Sequence, residues 1–315
     1  MEHEIRGLHH VTATVAGAQE DLDFYLEVLG LRLVKKTVNF DNRRVYHFYY
    51  GTETGAPGTI WTTFPYREQG VVAGRLGAGQ VTATSFSVPA GSLEFWKGRL
   101  RDRGVGTVEV APRFEAEETI ALRDPSGLVI ELTASDRDRR AQWSEGGVAA
   151  DAAIRGLFNV TMISRDPPRT LDLMTGLLGF TVVAETADRV RVAVNGNEPG
   201  RTIEIVAAPD AAPAVNGLGT VHHVALAIAG GEEQIRMREE LIRSGHSVTE
   251  VLDRQYFRSI YFREPGGVLL EVATIEPGFA VDEELPSLGQ TLRLPPWEEP
   301  NRAVVEAALP RVRHR

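Results

Sequence analysis

The chain has 315 residues, 43% of them apolar and 24% charged, a composition typical of a globular protein long enough for two domains. Its formal net charge of −9 argues against nucleic acid or an anionic membrane as the main partner, because both attract basic surfaces. The chain contains no cysteine, which excludes disulfides, thiolate nucleophiles and iron–sulfur clusters, so a metal would be held by His, Asp, Glu or Tyr. No apolar run reaches the roughly 18 residues of a membrane span and no secretion signal opens the chain, so a cytoplasmic location is expected.

The first predicted elements are a strand within residues 5–12 and a helix that contains Leu22. Apolar residues of this helix follow the i, i+3, i+4, i+7 spacing as far as Leu29, and Gly30 stands where a helix stop is expected. Further helices are predicted at about 92–103, from Asp166 with Pro167 in the first turn, and at about 232–243. Short β-branched segments between the helices indicate strands. The chain therefore reads as an α+β protein of four βαβββ units.

Two constant offsets relate these units. Residues 5–12, IRGLHHVT, recur as residues 154–161, IRGLFNVT, at an offset of 149. Residues 81–131 match residues 221–271 at an offset of 140, so that Glu131 corresponds to Glu271. A register kept over about fifty residues indicates an internal repeat.

The predicted organisation follows from this repeat. Residues 1–145 form the first pair of units, a Gly- and Ala-rich linker follows at 146–153, and residues 154–275 form the second pair. Residues 276–315 are expected to be a Pro-rich tail with a short helix that begins near Asn301.

Three residues at matching places in the repeat can hold a metal ion. His10 lies in the first strand of unit one, His223 in the first strand of unit four, and Glu271 in the last strand of unit four. Two imidazoles and one carboxylate form the facial triad of non-haem Fe(II) enzymes. Units one and four must then face each other.

The other two units lack this set of ligands. The matching positions are occupied by Asn159, Ala83 and Glu131, which supply one carboxylate and no imidazole. Units two and three are therefore expected to pair without a metal, and Glu131 is expected to bind an arginine.

Four segments carry a resemblance to a known family, namely residues 7–12, 57–65, 221–223 and 261–271. They resemble the vicinal oxygen chelate superfamily, and more narrowly its hydroquinone-type ring-cleaving dioxygenases. The resemblance covers nearly the whole chain. It implies two curved, half-open barrels of mixed sheet, each built from a pair of βαβββ units, and a metal between units one and four.

The number of protein ligands separates the reaction classes of this superfamily. Glyoxalase-type isomerases hold their metal with four side chains, and counting six residues from Pro57, as from Pro265 to Glu271, places Thr63 at the fourth position. Threonine is a poor ligand, so the site is expected to stay open for substrate and dioxygen.

Further residues are assigned by the resemblance or by strand alternation. Arg254 and Tyr261 match family positions that line the pocket, and they are assigned to catalysis and substrate binding. His9 and His222 adjoin the ligands and are candidate acid–base groups, although strand neighbours point to opposite faces unless the strand bends. Thr12 follows His10 onto the inner face and is assigned to substrate binding.

The leading hypothesis is thus a non-haem Fe(II) dioxygenase that inserts O2 into a hydroquinone or a related phenolic ring. Mn(II) can occupy the same triad. Two alternatives stay open, a metal-dependent glyoxalase-like lyase or isomerase and a non-catalytic small-molecule-binding protein. The tail from Glu276 onward offers a surface for a second copy of the chain, so a homo-oligomer is compatible with the sequence.

Overall fold

The computed structural model describes residues 4–114, 117–208 and 210–314. Unit one comprises β1 (Ile5–Val15), α1 (Ala18–Asp23), a π-helical turn (Phe24–Val28), β2 (Arg32–Asn39), β3 (Asn42–Gly51) and β4 (Ile60–Pro65). Unit two comprises β5 (Gln80–Pro89), α2 (Leu93–Asp102), β6 (Thr107–Val110), β7 (Thr119–Arg123) and β8 (Val129–Ser135).

The second half of the chain repeats this order. Unit three comprises β9 (Gly156–Ser164), α3 (Pro167–Asp172), a π-helical turn (Leu173–Leu177), β10 (Thr181–Glu185), β11 (Arg189–Ala193) and β12 (Thr202–Ala207). Unit four comprises β13 (Thr220–Ile228), α4 (Gly231–Arg243), β14 (Leu252–Asp253), β15 (Arg258–Arg263) and β16 (Leu269–Thr274), and the tail carries α5 (Arg302–Ala308). Helices α2 and α4 lie within one residue of their predicted bounds.

The strands form two eight-stranded mixed sheets that pair the units as the sequence predicts. The first sheet has the order β14-β15-β16-β13-β1-β4-β3-β2 and so combines units one and four. The second has the order β10-β11-β12-β9-β5-β8-β7-β6 and combines units two and three. In each sheet two first strands meet antiparallel at the centre, β1 with β13 and β5 with β9. This arrangement confirms the predicted fold class of two half-open barrels. The predicted domain boundaries stay predictions.

Two reciprocal backbone contacts join the sheets. The amide of Leu8 donates to the carbonyl oxygen of Gly200 at 2.7 Å, and the amide of Leu157 donates to that of Gly58 at 2.9 Å. Gly7, just before the first contact, has a φ of +133°, and a Cβ there would lie 2.8 Å from the Gly200 oxygen. A side chain at position 7 would therefore separate the sheets.

The C-terminal tail contacts the outer strand of its own first unit. Lys35 on β2 is fully buried and pairs with Asp282 at 2.6 Å and with Glu283. Lys36 bridges to Leu292 as a short parallel strand contact. The tail thus covers an edge strand that would otherwise expose unpaired backbone groups. Within the described residues, no helix has the length and apolar character needed to cross a membrane.

We expect Gly7→Ala to lower the free energy of unfolding by about 3 kcal/mol, because the added Cβ meets a backbone oxygen at a strained φ. Gly104 is the matched control, since its φ is +74° but a Cβ there would meet no atom within 4 Å. Gly104→Ala should cost about 1 kcal/mol. Urea unfolding measures both, and equal losses would contradict the proposed role of the contact between the sheets.

Candidate metal centre

The three candidate ligands converge on the concave face of the first sheet. The Nε2 atoms of His10 and His223 lie 3.3 Å apart. Oε2 of Glu271 lies 3.3 Å from the His10 nitrogen and 2.8 Å from the His223 nitrogen. All three side chains are buried, and within the described residues they form the one group of three metal-ligating side chains whose donor atoms lie this close together.

This geometry fits a divalent cation. Metal–ligand bonds of about 2.1 Å at right angles place neighbouring donor atoms about 3 Å apart, close to the separations found here. Oε2 of Glu271 is fully buried and has no hydrogen-bond donor among the described residues. Burial opposes ionisation of this carboxyl, but His10 and His223 outweigh it and hold the pKa of Glu271 well below its usual range. A buried anion facing two imidazole nitrogens is compensated when it binds a cation.

Two β-bulges place a second histidine beside each candidate ligand. Between Leu8 and His10, β1 advances two residues while β13 advances one, so His9 is the extra residue of a bulge. In the same way, His222 is the extra residue on β13. The Nδ1 atoms of the two neighbours lie 2.9 Å apart in the first pair and 2.8 Å apart in the second. The strand bends, as the sequence required if both members of a pair were to lie near the site.

The hydrogen bonds of His9 set the tautomer of His10. Burial, followed by the charge of His10, lowers the pKa of His9 to about 3, so His9 is neutral and carries one N–H. The backbone of Thr274 opposes this shift, as a carbonyl does when it faces a ring N–H, so we place that N–H on Nε2, away from His10. Nδ1 of His9 is then left to accept a hydrogen bond from Nδ1 of His10, and Nε2 of His10 presents its lone pair to the centre.

A cavity of about 350 Å³ opens onto the three converging side chains. Among the residues predicted from sequence, His222, Arg254 and Tyr261 line it together with His10, His223 and Glu271. His9 lies behind His10 and lines a separate cavity of about 190 Å³ beneath the tail. Thr12 is fully buried and accepts a hydrogen bond from Thr62 at 2.9 Å, beneath the cavity wall.

Arg254 and Tyr261 form a polar pair in the cavity wall. Nε of Arg254 donates to the Tyr261 hydroxyl at 3.3 Å, and Nη2 pairs with Asp41 at 3.0 Å. Burial and the charge of Glu271 raise the pKa of Tyr261, so this side chain remains a phenol that can donate a hydrogen bond. The pair can stabilise negative charge that develops on a bound oxygen.

Sequence reasoning missed most of the remaining wall. It is formed by the β2–β3 hairpin, by β4 and the residue after it, by the segment before β15 and by the start of β16: Asn39, Phe40, Asp41, His47, Tyr49, Phe64, Tyr66, Thr249, Leu252, Phe257 and Leu269. His47 and Tyr49 alternate along β3, which is the signal that could have placed both on the concave face.

The chain matches the model of the Glyoxalase/Bleomycin resistance protein/Dioxygenase superfamily over residues 7–132 and 156–272. The chain belongs to this superfamily. It is 43% identical over 304 residues to "Putative ring-cleaving dioxygenase MhqE" of Bacillus subtilis, covering 96% of this chain and 98% of the relative. It is 33% identical over 307 residues to "Chlorohydroquinone/hydroquinone 1,2-dioxygenase" of Sphingobium indicum, covering 95% and 94%.

A crystal structure of a Bacillus subtilis protein, described as a putative dioxygenase, superposes with a TM-score of 0.94 at 40% identity, covering 99% of each chain. Membership of a dioxygenase family with this fold implies a bound metal ion. The cluster of His10, His223 and Glu271 is the candidate site for that ion.

The strand registers of this superfamily fold correct the position matched to Glu271 in unit one. Glu271 pairs with Ala225, and in the same place of unit one Thr12 pairs with Thr62, not with Thr63. Thr63 points to the opposite face of β4 and donates to the buried carboxyl group of Asp21 at 2.5 Å. The prediction of Thr63 is therefore wrong by one residue, although the position still carries a threonine.

The same registers place two carboxylates in the second sheet, where the sequence indicated only Glu131. Glu131 pairs with Ser85, the residue that corresponds to Ala225 in the repeat. Glu204 pairs with Thr161, the residue that corresponds to Thr12. Asn159 donates to Glu204 at 2.7 Å.

Guanidinium groups compensate these carboxylates. Arg113 binds Glu131, with one bond of 2.9 Å, as the predicted arginine partner, while Arg189 and Arg191 both bind Glu204. The side chain of Glu204 is fully enclosed, and the arginines hold its pKa below the usual value against the opposing effect of burial. In the second sheet, arginines thus supply the positive charge at the place that corresponds to the candidate metal centre.

Asp21 is expected to make stability depend on pH. Burial raises its pKa from 3.8 to about 8, so the folded state keeps a proton that the unfolded state releases. Its contribution is greatest below about pH 4 and is lost as pH rises to about 8, by at most about 1.4 kcal/mol per pH unit. Asp21→Asn keeps an acceptor for Tyr50 and Thr63 and should flatten the fall in the free energy of unfolding between pH 5 and 8. Urea titrations at several pH values measure this, and an unchanged slope would contradict it.

Glu204→Gln is expected to reduce the free energy of unfolding by about 3 kcal/mol, because it leaves the buried Arg191 and the half-buried Arg189 without their shared anion. Glu250→Gln is the control, since Glu250 is exposed and pairs with Arg238 at the surface. It should change stability by less than about 0.5 kcal/mol. Chemical unfolding measures the free energy of unfolding of both variants. Equal losses would show that the ion cluster around Glu204 does not stabilise the fold.

Proposed function

We propose that this protein is a non-haem Fe(II) ring-cleaving dioxygenase that inserts O2 into a hydroquinone or a related phenolic. The observation that carries the proposal is the set of three converging protein donors beside a cavity. The fourth corresponding position is Thr62, whose hydroxyl donates to Thr12 and interacts with His47. The printed names of the two relatives support the reaction class.

His10, His223 and Glu271 would hold the metal, which supplies open coordination positions for a ring oxygen and dioxygen. Iron is proposed from the ligand set, and Mn(II) fits the same donors. The protein contributes a buried cavity that holds the ring in one orientation. Orientation of this kind can lower a barrier by roughly 7–11 kcal/mol in favourable cases.

Arg254 and Tyr261 are proposed to bind the substrate and stabilise an anionic oxygen in the cavity. Arg254 remains a cation because Tyr261 and Asp41 outweigh the effect of burial on its pKa. His222 lines the cavity as a neutral imidazole, since burial and the charge of His223 lower its pKa to about 3, and in this state it can accept a hydrogen bond from a bound phenol. His9 is proposed to orient His10 rather than to touch substrate, and Thr12 to support the wall through Thr62.

After anaerobic loading with Fe(II), we expect about one iron per chain and oxygen consumption with hydroquinones. His223→Ala should lose the metal and reduce oxygen uptake by at least about 100-fold, because removing one ligand leaves an incomplete site. His246→Ala, which changes a histidine outside the cavity, is the control and should retain both. Iron analysis and an oxygen electrode provide the measurements, with catechols compared against hydroquinones.

Other outcomes separate the alternatives. Turnover without oxygen, with a preference for Ni, Zn or Mn, would favour a glyoxalase-like lyase or isomerase. Ligand binding that persists unchanged after His10→Ala, with no bound metal, would favour a non-catalytic binding protein. Absence of both bound iron and oxygen uptake would overturn the dioxygenase proposal.

A further inference from the structure

His47 lines the same cavity as the three candidate metal ligands. Its imidazole contacts two aromatic side chains, Tyr49 on the same strand and Phe64 on β4, with ring centroids at 3.9 Å and 4.3 Å. Nε2 of His47 lies 2.8 Å from the hydroxyl oxygen of Thr62. The ring therefore has a fixed position before any ligand enters.

The hydrogen bonds of Thr62 define the tautomer of this ring. The Thr62 hydroxyl donates its single proton to Thr12 at 2.9 Å, so towards His47 it can only accept. Nε2 of His47 must then carry the proton and donate to Thr62. Burial, followed by the charges around the centre, lowers the pKa of His47 well below its usual value, so the ring is neutral and its Nδ1 is a bare acceptor.

This acceptor has no protein partner within the described residues, and it is not among their fully enclosed polar atoms. Two other polar groups of the wall have partners within the protein. Arg254 binds Asp41 and Tyr261, and the amide of Asn39 donates to Tyr66. Nδ1 of His47 is thus an oriented acceptor that remains free for a donor inside the cavity.

We propose that Nδ1 of His47 accepts a hydrogen bond from the ring hydroxyl that is not bound to the metal, and so selects diols over monophenols and ethers. This inference rests on the proposed function for its substrate class. It makes His47 a specificity-determining residue, since an aromatic ligand without a second hydroxyl leaves the buried acceptor unpaired. Thr62 and Thr12 act through His47 as positioning residues.

The test compares anaerobic binding of hydroquinone and phenol to the Zn(II)-loaded full chain by calorimetry. Wild type should bind hydroquinone about threefold to tenfold more tightly than phenol, the effect of one hydrogen bond. His47→Phe, which keeps an aromatic ring but removes the acceptor, should bring the two affinities within about twofold. His47→Gln restores an acceptor and should recover part of the preference. An unchanged preference in His47→Phe, or no preference in wild type, would overturn the proposal.

A second pair of variants tests the same chain of hydrogen bonds without changing His47. Thr62→Val removes the acceptor that holds the Nε2 proton and should reduce the preference, whereas Thr62→Ser should retain it. Nitrogen-15 NMR of the Zn(II)-loaded protein should show an unprotonated Nδ1 at His47, identified by its loss in His47→Phe. A protonated Nδ1 would overturn the proposal.

These results are separable from those of the oxygen measurements. A hydroquinone preference that depends on His47, in a protein that consumes no oxygen with Fe(II), would support the proposed contact and overturn the dioxygenase proposal. The opposite result would be a wild type that binds hydroquinone and phenol equally, with oxygen uptake that is as efficient in His47→Phe as in wild type. It would overturn the contact with His47 and support the dioxygenase proposal.

Discussion

The antiparallel pairing of β1 with β13 is the constraint on which the site depends. These strands lie more than 200 residues apart in the chain, and their register sets Thr12 opposite His223 and His10 opposite Ala225. Parallel pairing of β13 with β16 then brings Glu271 alongside Ala225. Because a shift of one residue would turn every side chain to the other face, the apolar alternation that fixes this register also fixes the distance between the three donors.

Four β-bulges occur at equivalent positions of the repeat, and each inserts one extra residue at the centre of a sheet. In the first sheet the extra residues are His9 and His222, and in the second they are Thr82 and Phe158. The backbone distortion therefore belongs to the fold and not to metal binding. What differs between the sheets is the chemistry placed on that backbone: imidazoles beside one glutamate in the first, and arginines beside two glutamates in the second.

The sequence predicted the unit pairing and the set of candidate ligands because both follow from constant offsets. It failed where the spacing changes: Pro57 precedes Thr62 by five residues, whereas Pro265 precedes Glu271 by six, so counting from proline gave Thr63. Strand pairing, which the sequence alone does not provide, gives the correct position. His47 and the arginines that bind Glu204 lie on strands between the repeated segments of each unit, where no repeat signal indicates which side chains meet. Alternation alone could not reveal the bulge at His9.

The second sheet balances the charge of its carboxylates without a metal ion. Arg113, Arg189 and Arg191 belong to the chain itself, so the charges of Glu131 and Glu204 are compensated without an added ion. In the candidate metal centre, that role would fall to a bound metal ion. A shortage of the metal would therefore affect the first sheet and leave the charge balance of the second sheet unchanged.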